Sequence, residues 1–250
     1  MALNNPYALQ FDGADDYVQF SAKIIPPGAK SICFSLFIDS ADTGYYDILA
    51  NTYSISGYGT RILIVSNELT IVINKGGSRF IQGINFSTYR GAIHNYVITW
   101  DGSTYLRVYI DNMQTPVANW YVGYTETHPG TNNMVIGKIA TGNDRFLKGK
   151  LDNVSIWDRD LTEEERQSYH NRRLRGDENG LVAYYKLDEE SGNIAYDSGP
   201  NGLNGTIYGA SRVDGLVDLI IGQGIARLAS ATARGRATAS AHPIRGRGLR

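Results

Sequence analysis

Two sets of residues in this 250-residue chain have side chains suited to chemistry. The first is acidic. Asp12, Asp15 and Asp16 crowd one glycine-containing turn, and Asp152 is expected to share a face with Val154 and Ile156 along a predicted strand. Carboxylates in a turn are hard oxygen donors of the kind calcium prefers, and an inward-facing Asp152 would need amide donors, a cation or a metal. Capping of backbone amides by Asp12 and Asp152 is the plainer reading, so calcium stands as the one cofactor to test. The second set is aromatic. Seventeen tyrosines outnumber seven phenylalanines, with clusters at Tyr45-Tyr46, joined by Tyr53 and Tyr58, and at Trp120-Tyr121, joined by Tyr124. Tyrosine offers a flat apolar face and a hydroxyl, which suits sugars, protein partners and half-buried packing alike.

Other reactive types point away from catalysis. Glu163, Glu164 and Glu165 follow Thr162, and Thr-x-x-Glu is the signature of a capped helix start rather than an acid–base pair. The four histidines, His94, His128, His170 and His242, lack metal or triad spacing. Cys33 is the single cysteine, so no internal disulfide forms, and its apolar neighbours mark it as a small buried hydrophobe. The expectation is a protein that is not an enzyme.

The elements that must carry these residues are mostly strands. Leu106, Val108 and Ile110 alternate with Tyr105, Arg107 and Tyr109, and Tyr96–Trp100 precedes them across an Asp101-Gly102-Ser103-Thr104 turn. Residues 61–65 and 69–74 pair around Ser66-Asn67-Glu68, and 31–38, 134–139, 150–157, 181–188 and 206–208 supply more. Short strands punctuated by Gly, Asn and Asp argue for an all-β, antiparallel two-sheet sandwich or jelly roll, with one short helix after Leu161.

Charge divides the chain unevenly. The net charge is −1, which favours neither nucleic acid nor a membrane surface, and no run approaches the length of a membrane span. Yet Leu219–Arg250 holds six arginines and no acid, leaving 18 basic against 25 acidic residues before it, a net of −7. Residues 215–250 therefore read as an extended Ala/Gly/Arg-rich tail unable to collapse by itself. Arg227, Arg234, Arg236, Arg245, Arg247 and Arg250 are its candidate assembly contacts. Nucleic-acid contact is the second reading of the tail, and a solvated linker the third. The N-terminus shows no positive region followed by an apolar stretch, so no secretory signal is expected.

Three segments carry a resemblance. They are Ala8-Leu9-Gln10-Phe11-Asp12-Gly13-Ala14-Asp15-Asp16-Tyr17-Val18, then Phe146–Glu165 with its Leu151-Asp152-Asn153-Val154-Ser155-Ile156-Trp157 core, and Gly180–Glu189 with Asp197-Ser198-Gly199 and Asn201–Thr206. Together they resemble a laminin-G-like domain of the concanavalin A-like lectin/glucanase superfamily over residues 7–214. That resemblance implies a jelly roll of two antiparallel sheets. It also implies a lectin-like rather than hydrolytic role, because no strand carries the Glu-x-Asp-x-Glu pattern that places two carboxylates for retaining hydrolysis. The Leu-Val-Ala-Tyr-Tyr segment comes last here, whereas in many relatives it comes first. Residues 181–214 are thus expected to close the domain in permuted order, or else to complete a neighbour by strand addition.

Laminin-G-like domains occur in phage structural proteins. A lectin-like domain without export signal or disulfide fits a virion protein that decorates a capsid or tail, binds surface glycans, and contacts other virion proteins through its tail. The alternatives are a bacterial extracellular carbohydrate-binding protein and a purely structural capsid stabiliser.

Overall fold

The computed structural model describes residues 7–170 and 173–216. In chain order the strands are β1 (Tyr7–Asp12), β2 (Tyr17–Phe20), β3 (Lys30–Phe37), β4 (Tyr45–Ala50), β5 (Tyr58–Val65) and β6 (Glu68–Lys75). They continue with β7 (Arg79–Asn85), β8 (Ile93–Trp100), β9 (Tyr105–Ile110), β10 (Ala118–Tyr121) and β11 (Val135–Ile136). After β12 (Lys148–Trp157) comes α1 (Glu163–His170), then β13 (Leu181–Tyr185), β14 (Ile194–Ala195), β15 (Gly205–Tyr208) and β16 (Ser211–Asp214). One sheet runs β10-β9-β8-β3-β12-β1-β16 with β13 also on β12, and the other runs β14-β15-β2-β11-β4-β5-β6-β7. Every pairing is antiparallel, as expected for a two-sheet jelly roll.

The alternation read from the sequence places the core. Ile62, Ile64, Leu69, Ile71 and Ile73 from one sheet meet Ile32, Phe34, Leu36, Ile98, Leu106 and Val108 from the other. The β5–β6 hairpin turns on two residues, Ser66 and Asn67, with Ser66 at φ 54°, the positive φ that tight hairpins demand. At the β8–β9 turn the Asp101 carboxylate accepts the amides of Ser103, Thr104 and Tyr105 at 3.0, 2.6 and 2.9 Å.

A second apolar layer lies on the far face of the first sheet. Trp157, Leu161, Leu174, Leu181 and Tyr184 pack there, with Tyr169 stacked on Trp157 at 4.9 Å. The helix that covers this layer opens as predicted. Thr162 N–H donates to Glu165 Oε2 at 3.0 Å, and Glu165 N–H donates to Thr162 Oγ1 at 3.3 Å. Removing this cap with Thr162→Ala is expected to cost about 1 kcal/mol, read as a lower urea midpoint at unchanged m-value.

Two expectations change on contact with the structure. Asp152 does not share a face with Val154 and Ile156. Asn153, at φ 56°, forms a bulge where the pairing of β12 with β3 shifts register, so Leu151, Val154 and Ile156 enter the core while Asp152 turns to the opposite side. There it is fully buried and accepts the Leu216 amide at 3.0 Å. Leu216, two residues past the boundary drawn at 214, is itself buried, so the folded body reaches at least that far.

The segment 181–214 pairs with this chain's own strands: β13 with β12, β15 with β2, and β16 with β1. The tail arginines Arg227, Arg234, Arg236, Arg245, Arg247 and Arg250 lie outside the described residues. Among the described residues no helix is long and apolar enough to cross a membrane.

Candidate functional site

A group of exposed rings and charged side chains sits on the face of the second sheet turned away from the core. β4 pairs with β11 up to Gly137, whose N–H donates to Ile48 O at 3.0 Å. The chain then leaves in a loop and returns beside β4 at Arg145, whose carbonyl accepts the Asp47 amide at 3.0 Å. Arg145 adopts a left-handed backbone, φ 58°, uncommon for a non-glycine residue. Its guanidinium carbon lies 4.4 Å from the Tyr45 ring centre and 5.6 Å from that of Tyr53. Both rings are open to solvent, 42% and 48% exposed.

Beneath them Arg61 and Asp47 form a buried two-point pair at 2.9 and 2.9 Å, with the Arg61 guanidinium 5.9 Å from the Tyr53 ring. Burial pushes the Asp47 carboxyl above its ordinary value, opposed by the charges of Arg61 and Arg145. The floor of the patch is therefore a fixed ion pair, and its rim is two aromatic faces with a cation between them.

The other predicted aromatics are dispersed. Tyr46 points into the core and its hydroxyl bonds Asp42, so it cannot serve as a sugar platform. Tyr124 is corrected for a similar reason: its hydroxyl donates to Ile73 O at 2.7 Å and accepts the Phe80 amide at 3.1 Å, tying β6 to β7. Trp120 is half-buried, 6.1 Å from Phe80, where the edges of the two sheets meet. Tyr121 is 71% exposed but pairs edge-on with Tyr105 rather than with Trp120. Tyr58 stacks on His128 at 4.5 Å. Tyr45 and Tyr53 are the members of the predicted set that meet over the Arg145 guanidinium.

Sequence reasoning missed Arg145, Arg61 and Asp47, and it missed the stack of Tyr17 on Tyr208 at 4.6 Å under Lys138. No local pattern marks them, because distant segments of the chain bring each group together.

The predicted acidic set divides as well. Asp12, Asp15 and Asp16 converge, with carboxylate oxygens within 4.8 Å of one another, whereas Asp152 lies elsewhere behind its bulge. Asp12 Oδ1 already accepts the Ala14 amide at 2.7 Å, and Asp16 Oδ2 the Asp12 amide at 2.8 Å. Burial, with the charges of Asp12 and Asp15, raises the Asp16 carboxyl against the pull of the Asp12 amide. Calcium takes six to eight oxygens. Three carboxylates, two of them holding their own turn, supply part of such a set.

Cys33 borders a cavity of about 30 Å³ between α1 and the first sheet, and burial pushes its thiol up to about 12, far from nucleophilic. The three glutamates Glu163, Glu164 and Glu165 occupy the first turn of α1, where Glu165 also holds Arg159 at 2.6 Å.

Comparison with known proteins agrees with this architecture. No protein of curated function matches the chain by sequence. Among solved structures it is similar to a proposed carbohydrate-binding protein from Bacteroides ovatus, at 18% identity and TM-score 0.63, covering 85% of this chain and 61% of that one. It is also similar to the binding domain of botulinum neurotoxin serotype D, at 13% identity and TM-score 0.51, covering 82% and 61%. The receptor-binding domain of the mosaic C/D serotype matches at 13% and 0.52, covering 71% and 46%. The chain thus spans about three fifths or less of these proteins, and the likeness is one of fold. The laminin-G-like sequence family described as the Concanavalin A-like lectin/glucanases superfamily matches residues 12–165, more than half the chain. With two antiparallel sheets closed over one core, the chain belongs to the concanavalin A-like lectin/glucanase superfamily.

Proposed function

We propose that this protein is a non-catalytic, glycan-binding module of a virion, with the sandwich outward and residues 215–250 as its anchor. The observation that carries the glycan reading is the pair of solvent-open rings, Tyr45 and Tyr53, held over the buried Arg61–Asp47 pair. Rigid aromatic faces bind with little ordering cost, which is how a shallow site gains affinity. The carbohydrate binding proposed for the Bacteroides ovatus protein supports the same reading. A non-catalytic role is supported by Glu165 of α1, which is spent on a cap and an ion pair. The virion setting rests on composition: an acidic body followed by an arginine-rich tail suits self-assembly or docking among acidic neighbours.

A glycan array with purified full-length protein tests the first part. Tyr45→Ala is expected to weaken the retained glycans by about 2 kcal/mol, or some 30-fold, with the melting temperature unchanged. Equal binding by both proteins would remove Tyr45 from the site. Deleting residues 219–250 tests the second part: the domain should fold yet fail to enter particles, and normal incorporation would end the anchor reading.

A further inference from the structure

From the Tyr45–Arg145–Tyr53 group we infer a binding site for carboxylated sugars, a deepening that rests on the glycan-binding reading above. An arginine offers only donors, arranged as a planar fork that matches a carboxylate. Arg61 has spent its fork on Asp47, at 2.9 Å for both contacts. Arg145 has not. Among the described residues its guanidinium makes no hydrogen bond, and its one ion pair is a loose 3.7 Å contact from Nε to Asp144 Oδ2. Asp144 is 74% exposed, and its other oxygen is occupied by the Arg145 amide at 2.7 Å.

Both Nη groups of Arg145, on a side chain 19% exposed beside two aromatic faces, therefore have no hydrogen-bond partner among the described residues. The ring contacts at 4.4 and 5.6 Å hold the guanidinium in place without using those donors. A neutral sugar presents hydroxyls that need acceptors as well as donors, whereas the unpaired atoms of this guanidinium are donors alone. A ring stacked on Tyr45 or Tyr53 with its carboxylate on the Arg145 fork would give those donors two acceptors in the matching planar geometry. The backbone supports this assignment. Arg145 is held left-handed, with its carbonyl fixed by Asp47 and its amide by Asp144, an unusual conformation of the kind that gathers at binding sites.

The test uses the full-length chain on an array of sialylated and uronate-containing oligosaccharides, each beside its carboxyl-reduced partner, with calorimetry on the strongest pair. The acidic member is expected to bind at least tenfold tighter, and the difference should shrink as salt rises. Arg145→Gln and Arg145→Gly should both erase the difference. The glycine variant also suits the left-handed backbone, so a folding defect is separable by melting temperature. Arg145→Lys should restore only part, because an ammonium lacks the fork. Tyr45→Ala and Tyr53→Ala should weaken acidic and reduced partners together. If wild type binds both members equally, or Arg145→Gln keeps the preference, the carboxylate assignment is overturned. In that outcome Tyr45-dependent binding still upholds the lectin reading. Binding to no glycan at all would bring down both.

Discussion

Replacing Lys30 with alanine is expected to destabilise the domain by about 3–5 kcal/mol, the cost of stranding a buried carboxylate. Lys30 opens β3 in the first sheet, and its Nζ bonds Glu126 in the segment between β10 and β11, with Thr60 Oγ1 of the second sheet 3.4 Å away. Both charged residues are buried, at 3% and 2% exposure, and the ammonium also lies 5.3 Å from the Trp100 ring. The pair thus joins the two sheets and one long connection at one end of the sandwich.

Burial holds the Glu126 carboxyl above its ordinary 4.5, and the Lys30 charge draws it back down. Without Lys30 it rises further. The native variant then keeps a proton that the unfolded chain releases above about pH 4.5, so its stability falls as pH rises. Urea titrations should show a wider deficit at pH 8 than at pH 5. The double variant Lys30→Met/Glu126→Leu should recover most of the loss. A single-variant cost below about 1 kcal/mol would show that the pair is not a desolvated one.

Asp197→Ala is expected to cost about 3 kcal/mol and to loosen the last segment before the rest of the sandwich. One oxygen of Asp197 accepts the amides of Tyr184 and Gly199 at 2.9 and 2.7 Å, and the other accepts Leu203 N–H at 2.9 Å. Its own amide donates to Asn204 Oδ1 at 2.8 Å. A few bonds away, the Tyr185 hydroxyl reaches Leu203 O at 2.7 Å, and its ring lies 4.8 Å from Phe20 in the core. A single carboxylate thus ties β13 of one sheet to the approach of β15 in the other. Hydrogen exchange should accelerate at the amides of β13 and β15 while the β5–β6 hairpin stays protected. Asp197→Asn, which keeps an acceptor oxygen, should fall between wild type and alanine. Uniform exchange throughout would mean that the segment does not close the domain as a distinct unit.

Much of this architecture was legible residue by residue. Alternation of apolar and polar types located the hairpins, Thr162 and Glu165 located the helix start, and the Ser66-Asn67 pair located a turn, because each signal depends on neighbours within four positions. Side-chain direction was legible only where the two-residue period continued unbroken. The bulge at Asn153 reverses the period and sends Asp152 to the far face, and only the pairing of β12 with β3 decides where that bulge falls.

The site followed the same division. Tyrosine abundance announced candidate platforms, but whether a ring is open like Tyr45 or buried like Tyr46 depends on which face of β4 the first sheet covers. Arg145 reaches Tyr45 and Tyr53 because a loop returns beside β4 and its carbonyl takes the Asp47 amide. Composition and short-range pattern determined that this chain builds an all-β sandwich with a capped helix. Long-range strand pairing alone decided which polar groups meet, since hydrogen-bond registry between distant segments leaves no periodic trace in either of them.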